Sequence, residues 1–450
     1  MHRKIKNIIT VNILLIAVLV SIVPSLCLAS PKVEPKRVVL DNGIILLVVE
    51  SHALPIVNVS VAVKTGAIYD PSEKAGVANL TANLLDEGTK TRTSRQIAEE
   101  IDFIGGRLST SGGMDYSSAS LVVLKKDIMT GMDLLSDVLL NPVFPAEELE
   151  RKKKETLASI IADKDEPNSI ATKAFYKAVF PGHPYGVPAE GEEETVPRIT
   201  REDIISFYQK YYKPNNTIIA VVGDVGLQEA VDIIEKYFKS WEKGELQFPD
   251  IHPAEKVKKR EPILIDKNIT QANIMLGHTG ISRDNPDFYA VHLMNYIFGG
   301  GGFSSRLTKE IRDNKGLAYS VYSRFDINRY PGAFSVEIQT KNETARVAID
   351  GIVSELKKIR EEQVSDKELK EAKAYITGSF PLKLDTNAKI GSYLVFLEYY
   401  NLGLDYLDKY PRYVEAVTKD DILRVARKYL DSENFVLVAV AKQDKAGLKE

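Results

Sequence analysis

The chain repeats itself at long range, and this limits the folds open to it. Thr200-Arg201-Glu202-Asp203-Ile204 leads through Lys210-Tyr211 to Asn216 and an apolar run over 217–223. Thr418-Lys419-Asp420-Asp421-Ile422 leads through Lys428-Tyr429 to Asn434 and a run over 435–441, each matched pair 218 positions apart. In both copies Thr caps a predicted helix, acidic residues fill its first turn, Lys-Tyr ends it, and an aliphatic strand follows. A weaker echo pairs Thr65-Gly66, after the alternation Val59, Val61, Val63, with Thr279-Gly280, after Ile274 to Gly277. The acidic helix starts over 144–149 and 364–369 also correspond. Such a spacing is too long for a solenoid and predicts two homologous domains.

A chain of 450 residues can fill two such cores. The predicted domains are 30–242 and 259–450, joined by a linker over 243–258. The stretch from Glu242 to Glu261 has two prolines, a glycine and many charges, as an exposed connection would. Strands and helices are interspersed without βαβ regularity, and Gly332 to Ile338 alternates like a strand with one face covered. The predicted fold class is α+β, each domain a mostly antiparallel sheet with helices packed on one face.

Composition, at 44% hydrophobic and 27% charged, is that of a soluble protein. The N-terminus departs from it. Arg3, Lys4 and Lys6 precede an apolar run from Ile8 to Val23, then Pro24 and the small-residue site Cys27-Leu28-Ala29. Residues 1–29 therefore read as a signal peptide, too short in its apolar part for a membrane span. Bulky Leu26 argues against lipoprotein processing at Cys27. The expected destination is the periplasm, with secretion as the alternative. Cleavage after Ala29 removes the single cysteine and takes the formal charge from −3 to −6, with 56 Lys and Arg against 62 Asp and Glu. That mild acidity gives no sign of a nucleic-acid partner.

Between Gly76 and Thr89 the sequence is G-V-A-N-L-T-A-N-L-L-D-E-G-T. It keeps the outline of G-x-A-H-x-x-E-H-x-x-x-x-G-T, a zinc-peptidase helix on which two histidines four apart share the metal and the glutamate activates water. Asn79, Ala82 and Asn83 stand in those places. A carboxamide is a poor zinc ligand and a methyl group takes no proton. The helix should bury Val77, Leu80 and Leu84. On the residues alone, Asn79 and Asn83 read first as surface amides flanking that stripe, the other reading being a face turned to a cavity where a partner or ancestor would hold zinc. The six histidines show no metal-ligand spacing.

Further on, Phe298-Gly299-Gly300-Gly301-Gly302-Phe303-Ser304-Ser305-Arg306-Leu307 precedes Lys309-Glu310-Ile311-Arg312-Asp313-Asn314-Lys315-Gly316-Leu317-Ala318-Tyr319. Four glycines allow sharp turns and close approach. Ser304 or Ser305 can cap a short helix, Gly316 ends it, and a strand from Leu317 to Phe325 follows. Arg312 in the last turn suits the helix dipole, which is a sufficient structural reason for it. The loop lacks the spacing of a phosphate-binding motif.

In combination these motifs, with Phe144-Pro145-Ala146-Glu147-Glu148-Leu149 and His183-Pro184-Tyr185-Gly186, are specific. The chain resembles the pitrilysin/insulinase family of zinc metallopeptidases, in particular the two-subunit branch related to mitochondrial processing peptidase, over nearly all of its mature length. The resemblance implies a third zinc ligand on the helix after Phe144, where Ser159 stands, and a supporting glutamate where Lys152 stands. It therefore implies no metal bound by this chain, with zinc expected in a partner subunit that carries H-x-x-E-H. It also implies that Arg312 and Tyr319 act in trans in catalysis, facing the partner's zinc across a closed chamber of which this chain forms one shell of a clam. The expected assembly is a heterodimer, with a homodimer as the other association, acting on peptides and inactive as a single chain. His183 is expected to be structural. The competing expectation is an inactive scaffold or peptide-binding protein of the same fold. No G-x-S-x-G is present, and the mature chain has no cysteine nucleophile.

Overall fold

The apolar runs of the repeat become the inserted strands of two sheets with one topology. A computed structural model describes residues 33–258 and 261–448; the expected signal peptide, residues 1–29, lies outside them. The first sheet contains β1 (Lys36–Val39), β2 (Ile45–Glu50), β3 (Ile56–Val63), β4 (Arg107–Gly112), β5 (Ser117–Leu124) and β6 (Thr217–Gly223), in the order β1-β2-β6-β3-β5-β4. The second contains β7 (Ile263–Asp266), β8 (Gln271–Thr279), β9 (Ala318–Ile327), β10 (Pro331–Lys341) and β11 (Val436–Ala441), in the order β7-β11-β8-β10-β9. In each, the last strand slots between the first two of the repeat, parallel to β2 or β7 and antiparallel to β3 or β8. The remaining pairs are antiparallel. The fold is α+β with two homologous halves, as expected.

Strand register corrects one detail. Ser60 lies opposite Ala220, and Met275 opposite Val438, so β3 and β8 correspond at an offset of 215. The Thr65-Gly66 and Thr279-Gly280 echo, offset by 214, is one residue out of step. A slip of one would place every side chain on the wrong face.

Helices of the first half are α1 (Val77–Asn83), α2 (Ser94–Phe103), α3 (Ile128–Leu140), α4 (Ala146–Ala162), α5 (Pro167–Val179), α6 (Arg201–Tyr211) and α7 (Leu227–Phe238). Those of the second are α8 (Phe288–Asn295), α9 (Ala345–Glu361), α10 (Asp366–Ser379), α11 (Asn387–Tyr399), α12 (Tyr406–Glu415), α13 (Lys419–Tyr429) and α14 (Gln443–Ala446). The repeated Thr residues cap α6 and α13 through the same reciprocal contacts. Asp203 N donates to Thr200 at 3.2 Å, and Asp421 N donates to Thr418 at 3.1 Å.

Each half packs its own helices on one face of its sheet, with α3 on β5 and α7 on β2 in the first, and α9 against β10 in the second. The opposite faces are covered by exchange. Helix α11 of the second half lies on β3 and β6, while α5 of the first lies on β8 and β11. Asn58 and Ser60 on β3, which alternate like solvent-facing residues, are buried beneath α11. The Asn58 amide donates to Ser60 Oγ at 2.9 Å, so neither group needs water. Gly391 makes the approach possible, since a Cβ there would meet Ser60 Oγ at 2.7 Å.

Asp115 on the β4–β5 turn ties the halves further, accepting from Tyr185 at 2.8 Å, Arg329 N at 2.9 Å and Tyr400 at 3.3 Å. Residues 35–450 form one compact unit. The segment over 243–258 has no regular structure but is tacked down, with Phe248 stacked on Tyr211 at 5.4 Å and tilted against Tyr69 at 4.8 Å. Among the described residues no helix is long and apolar enough to cross a membrane.

Candidate functional site

Helix α1 starts at Gly76, in the left-handed region at φ 102°, where a Cβ would meet Glu190 O at 2.7 Å. Val77, Leu80 and Leu84 are buried as the pattern predicts. Asn79 and Asn83 come together on the flank of that stripe. The Asn83 amide donates to Asn79 Oδ1 at 2.9 Å, and the Asn79 amide donates to Gly112 O at 3.0 Å. Gly112 lets the helix lie directly on edge strand β4, since a Cβ there would sit 2.5 Å from the Asn79 Cα. The second half uses the same kind of contact at the end of α8, where the Asn295 amide donates to Ser323 O at 3.2 Å. The paired amides thus clamp a helix to a strand.

Ala82 is fully buried, and Ser159 on α4 is exposed. Lys152 and Arg151, also on α4, hold Glu87 at 2.8 and 2.7 Å. Burial opposes ionisation of Glu87, but the hydrogen bonds from Lys152 and Arg151 outweigh it and keep the carboxyl below its usual range. Two cations and two engaged carboxamides do not suit Zn²⁺, which takes imidazole, thiolate or carboxylate donors. The residues do not fit the metal. Among the described residues no group of three or more His, Cys, Asp or Glu is placed to hold one. His183 is buried, and its Nδ1 accepts from Tyr185 N at 3.0 Å. Burial pushes its pKa down, so the ring is neutral and caps the turn.

In the second half Ser305 is the cap, accepting from Thr308 N at 3.3 Å. The segment Thr308–Asn314 winds as a π-helix, a form frequent at functional sites. Gly316, at φ 62°, closes it, and β9 begins at Ala318. The guanidinium carbon of Arg312 lies 5.4 Å from the Tyr319 ring centroid and 4.7 Å from that of Phe303. Tyr319 is 85% exposed and Phe303 75%. Among the described residues no hydrogen bond, ion pair or ring contact joins Arg312 or Tyr319 to Asn79, Ala82, Asn83 or Ser159. The family resemblance pointed to Arg312 and Tyr319 but not to Phe303, whose signal in the sequence is a large apolar residue ending a glycine run.

The internal duplication shows what the fold itself requires here. Ser60, Ser120 and Ser109 lie side by side, as do Met275, Glu337 and Tyr322, so Arg107 matches Ser320. The helix-closing Gly105, at φ 63°, matches Gly316. One residue separates Gly105 from Arg107, whereas three separate Gly316 from Ser320, and Tyr319 belongs to that excess. Gly316 N donates to Arg312 O and Leu317 N to Ile311 O, as Gly105 N donates to Asp102 O and Gly106 N to Ile101 O, so buried Ile311 matches buried Ile101 and Arg312 matches Asp102. The same architecture is built in the first half without either side chain.

Residues 46–193 match the family model described as insulinase (peptidase family M16), and residues 198–376 match the one described as peptidase M16 inactive domain. A Rickettsia bellii protein named "uncharacterized zinc protease" is 30% identical over 369 residues, spanning 80% of this chain and 87% of its own. The chain belongs to the M16 peptidase family. A Bacillus subtilis protein also named an uncharacterized zinc protease is 28% identical over 360 residues, spanning 79% of this chain and 86% of its own. A solved structure from Pseudomonas fluorescens, described as a peptidase M16 inactive domain, superposes with a TM-score of 0.85 at 29% identity, covering 91% of this chain and 98% of its own. A protease from Helicobacter pylori shares the fold with a TM-score of 0.84 at 21% identity, covering 91% and 99%. The zinc in the relatives' names does not pass to this M16 chain, whose corresponding helix bears Asn79, Ala82 and Asn83. Its similarity to the inactive-domain structure is consistent with a non-catalytic M16 subunit.

Proposed function

We propose that this M16 chain is the non-metal-binding subunit of an exported, two-subunit zinc peptidase whose partner carries H-x-x-E-H and holds the metal. One observation carries the reading. The chain has lost every metal-site side chain while displaying an Arg312–Tyr319 pair that its own first half does without. Both residue types serve peptide hydrolysis. The phenol of Tyr319 donates to the substrate carbonyl oxygen as negative charge builds there, and the planar guanidinium of Arg312 donates to a neighbouring carbonyl. Enclosure between two such shells favours short or unfolded peptides. The N-terminal basic and apolar segment supports export, to the periplasm or beyond.

The test is reconstitution. The purified chain alone should cleave no peptide, and addition of an H-x-x-E-H subunit should produce cleavage. Tyr319→Phe should lower kcat/KM of the complex by about 100-fold, the usual scale for one donor to a developing oxyanion, and Arg312→Ala should also lower it. Unchanged kcat/KM in both variants would support the scaffold alternative. Stoichiometric zinc in the isolated chain, with chelator-sensitive cleavage, would overturn both.

A further inference from the structure

We propose that Phe303 is a positioning residue for Arg312, holding the plane of the guanidinium so that its N–H edge faces a peptide carbonyl. This rests on the peptide-binding reading of Arg312 given above. The Phe303 ring lies nearer the guanidinium than Tyr319 does, at 4.7 Å against 5.4 Å. Stacking on a ring engages the face of the cation and leaves its in-plane donors free. Among the described residues the ion-pair contact of Arg312 is Nε to Asp313 at 3.9 Å, too long to fix the guanidinium plane. Arg306, on the same loop, is fixed quite differently, by two hydrogen bonds to Glu368 at 2.7 and 3.1 Å.

The first half again shows that the arrangement is not imposed by the fold. Phe303 stands two residues before the cap Ser305, and Thr91 stands two before the cap Thr93. Thr91 is exposed too, but it is small and polar, its hydroxyl donating to Asp137 at 2.7 Å. Phe303 is a large apolar ring with three-quarters of its surface exposed, an unfavourable placement unless it has a surface task. Gly302, at φ 56°, supplies the turn that puts it there.

Two measurements test the assignment. In the complex with an H-x-x-E-H subunit, assayed with an internally quenched fluorogenic peptide, Phe303→Leu should lower kcat about 2- to 5-fold, the scale of an exposed cation–π contact, with KM little changed. Phe303→Tyr or Phe303→Trp should restore it, and Phe303→Leu should cost nothing further in an Arg312→Ala background. In the isolated chain labelled at arginine, the Arg312 side-chain NMR signals, assigned by their loss in Arg312→Lys, should shift in Phe303→Leu and return in Phe303→Trp. Unmoved Arg312 signals overturn the proposal, as does an equal kinetic loss in the Arg312→Ala background, which would mean that Phe303 touches substrate or partner directly. If Arg312→Ala leaves the complex's activity intact, the peptide-binding role fails, and the NMR arm alone still decides whether the ring positions the arginine.

Discussion

Asn79 is where a lost metal position has acquired another task. Its amide spans from Asn83 to Gly112 O, so Asn79→Ala should cost about 1 kcal/mol, the usual net loss of one hydrogen-bond partner, read as a lower urea midpoint at unchanged slope. Arg312→Ala should behave differently. With ring contacts and a 3.9 Å approach to Asp313 as its interactions, it should shift stability by less than about 1 kcal/mol while lowering activity of the complex. The absence of zinc ligands was legible in the sequence because metal chemistry depends on residue identity at fixed short spacing. What Asn79 does instead was not, because its acceptor lies 33 residues away on a strand whose position no local pattern fixes. Phe303 was illegible for the same reason, since its partner Arg312 is met only after the loop has turned.

At the level of elements, the capped helices were legible, and the packing of α11 was not. A Thr followed three residues later by Asp states its own hydrogen bonds, whereas Asn58 and Ser60 look like a wet face until a helix from the other half covers them. Gly391→Val tests that cover. Its Cβ would fall within 2.8 Å of both Ser60 Oγ and the Asn58 amide, so α11 must lift off β3, at a cost of about 1–3 kcal/mol in chemical denaturation. Gly378→Ala on exposed α10 is the control. Nothing lies within 4 Å of its added methyl, and the change should stabilise by up to about 0.5 kcal/mol. A pH test applies to the repeated Lys-Tyr pair, which the sequence marks only as a helix end. Lys428, Tyr429 and Arg424 on α13 converge on Asp287 at the start of α8, at 2.9, 2.8 and 2.8 Å. Against the opposing effect of burial, the bonds from Lys428, Tyr429 and Arg424 hold its pKa down to about 2. The folded value lies below that of the unfolded chain, so the contribution is intact above about pH 4 and fades as pH falls through 2. The stability gap between wild type and Asp287→Asn should therefore be widest near neutrality and narrow across that window in urea titrations.

The whole molecule is a duplication that cannot be cut in two. The repeat was legible because both copies kept the same caps and strand at one offset. The exchange of α5 and α11 was not, because nothing in a helix's periodicity names the sheet that it covers. The exchange has a direct physical consequence. A half expressed alone, ending before α11, would leave Asn58, Ser60 and Ala62 of β3 facing water, and would carry an α5 whose apolar side has lost Val436, Val438 and Val440. Burying such faces drives folding, so residues 35–242 and 261–450 produced separately should be aggregated or poorly ordered. A protease site placed between exposed Glu255 and Lys256 asks the complementary question. Cleavage there removes only the covalent link, leaving α11 on β3 and β6, α5 on β8 and β11, the paired contacts of Arg37 with Glu398, and the Asp115 network. The nicked protein should elute from a sizing column as one species and unfold in a single transition, at a midpoint that now rises with protein concentration. Two peaks after cleavage would mean that the exchanged helices do not hold the halves together.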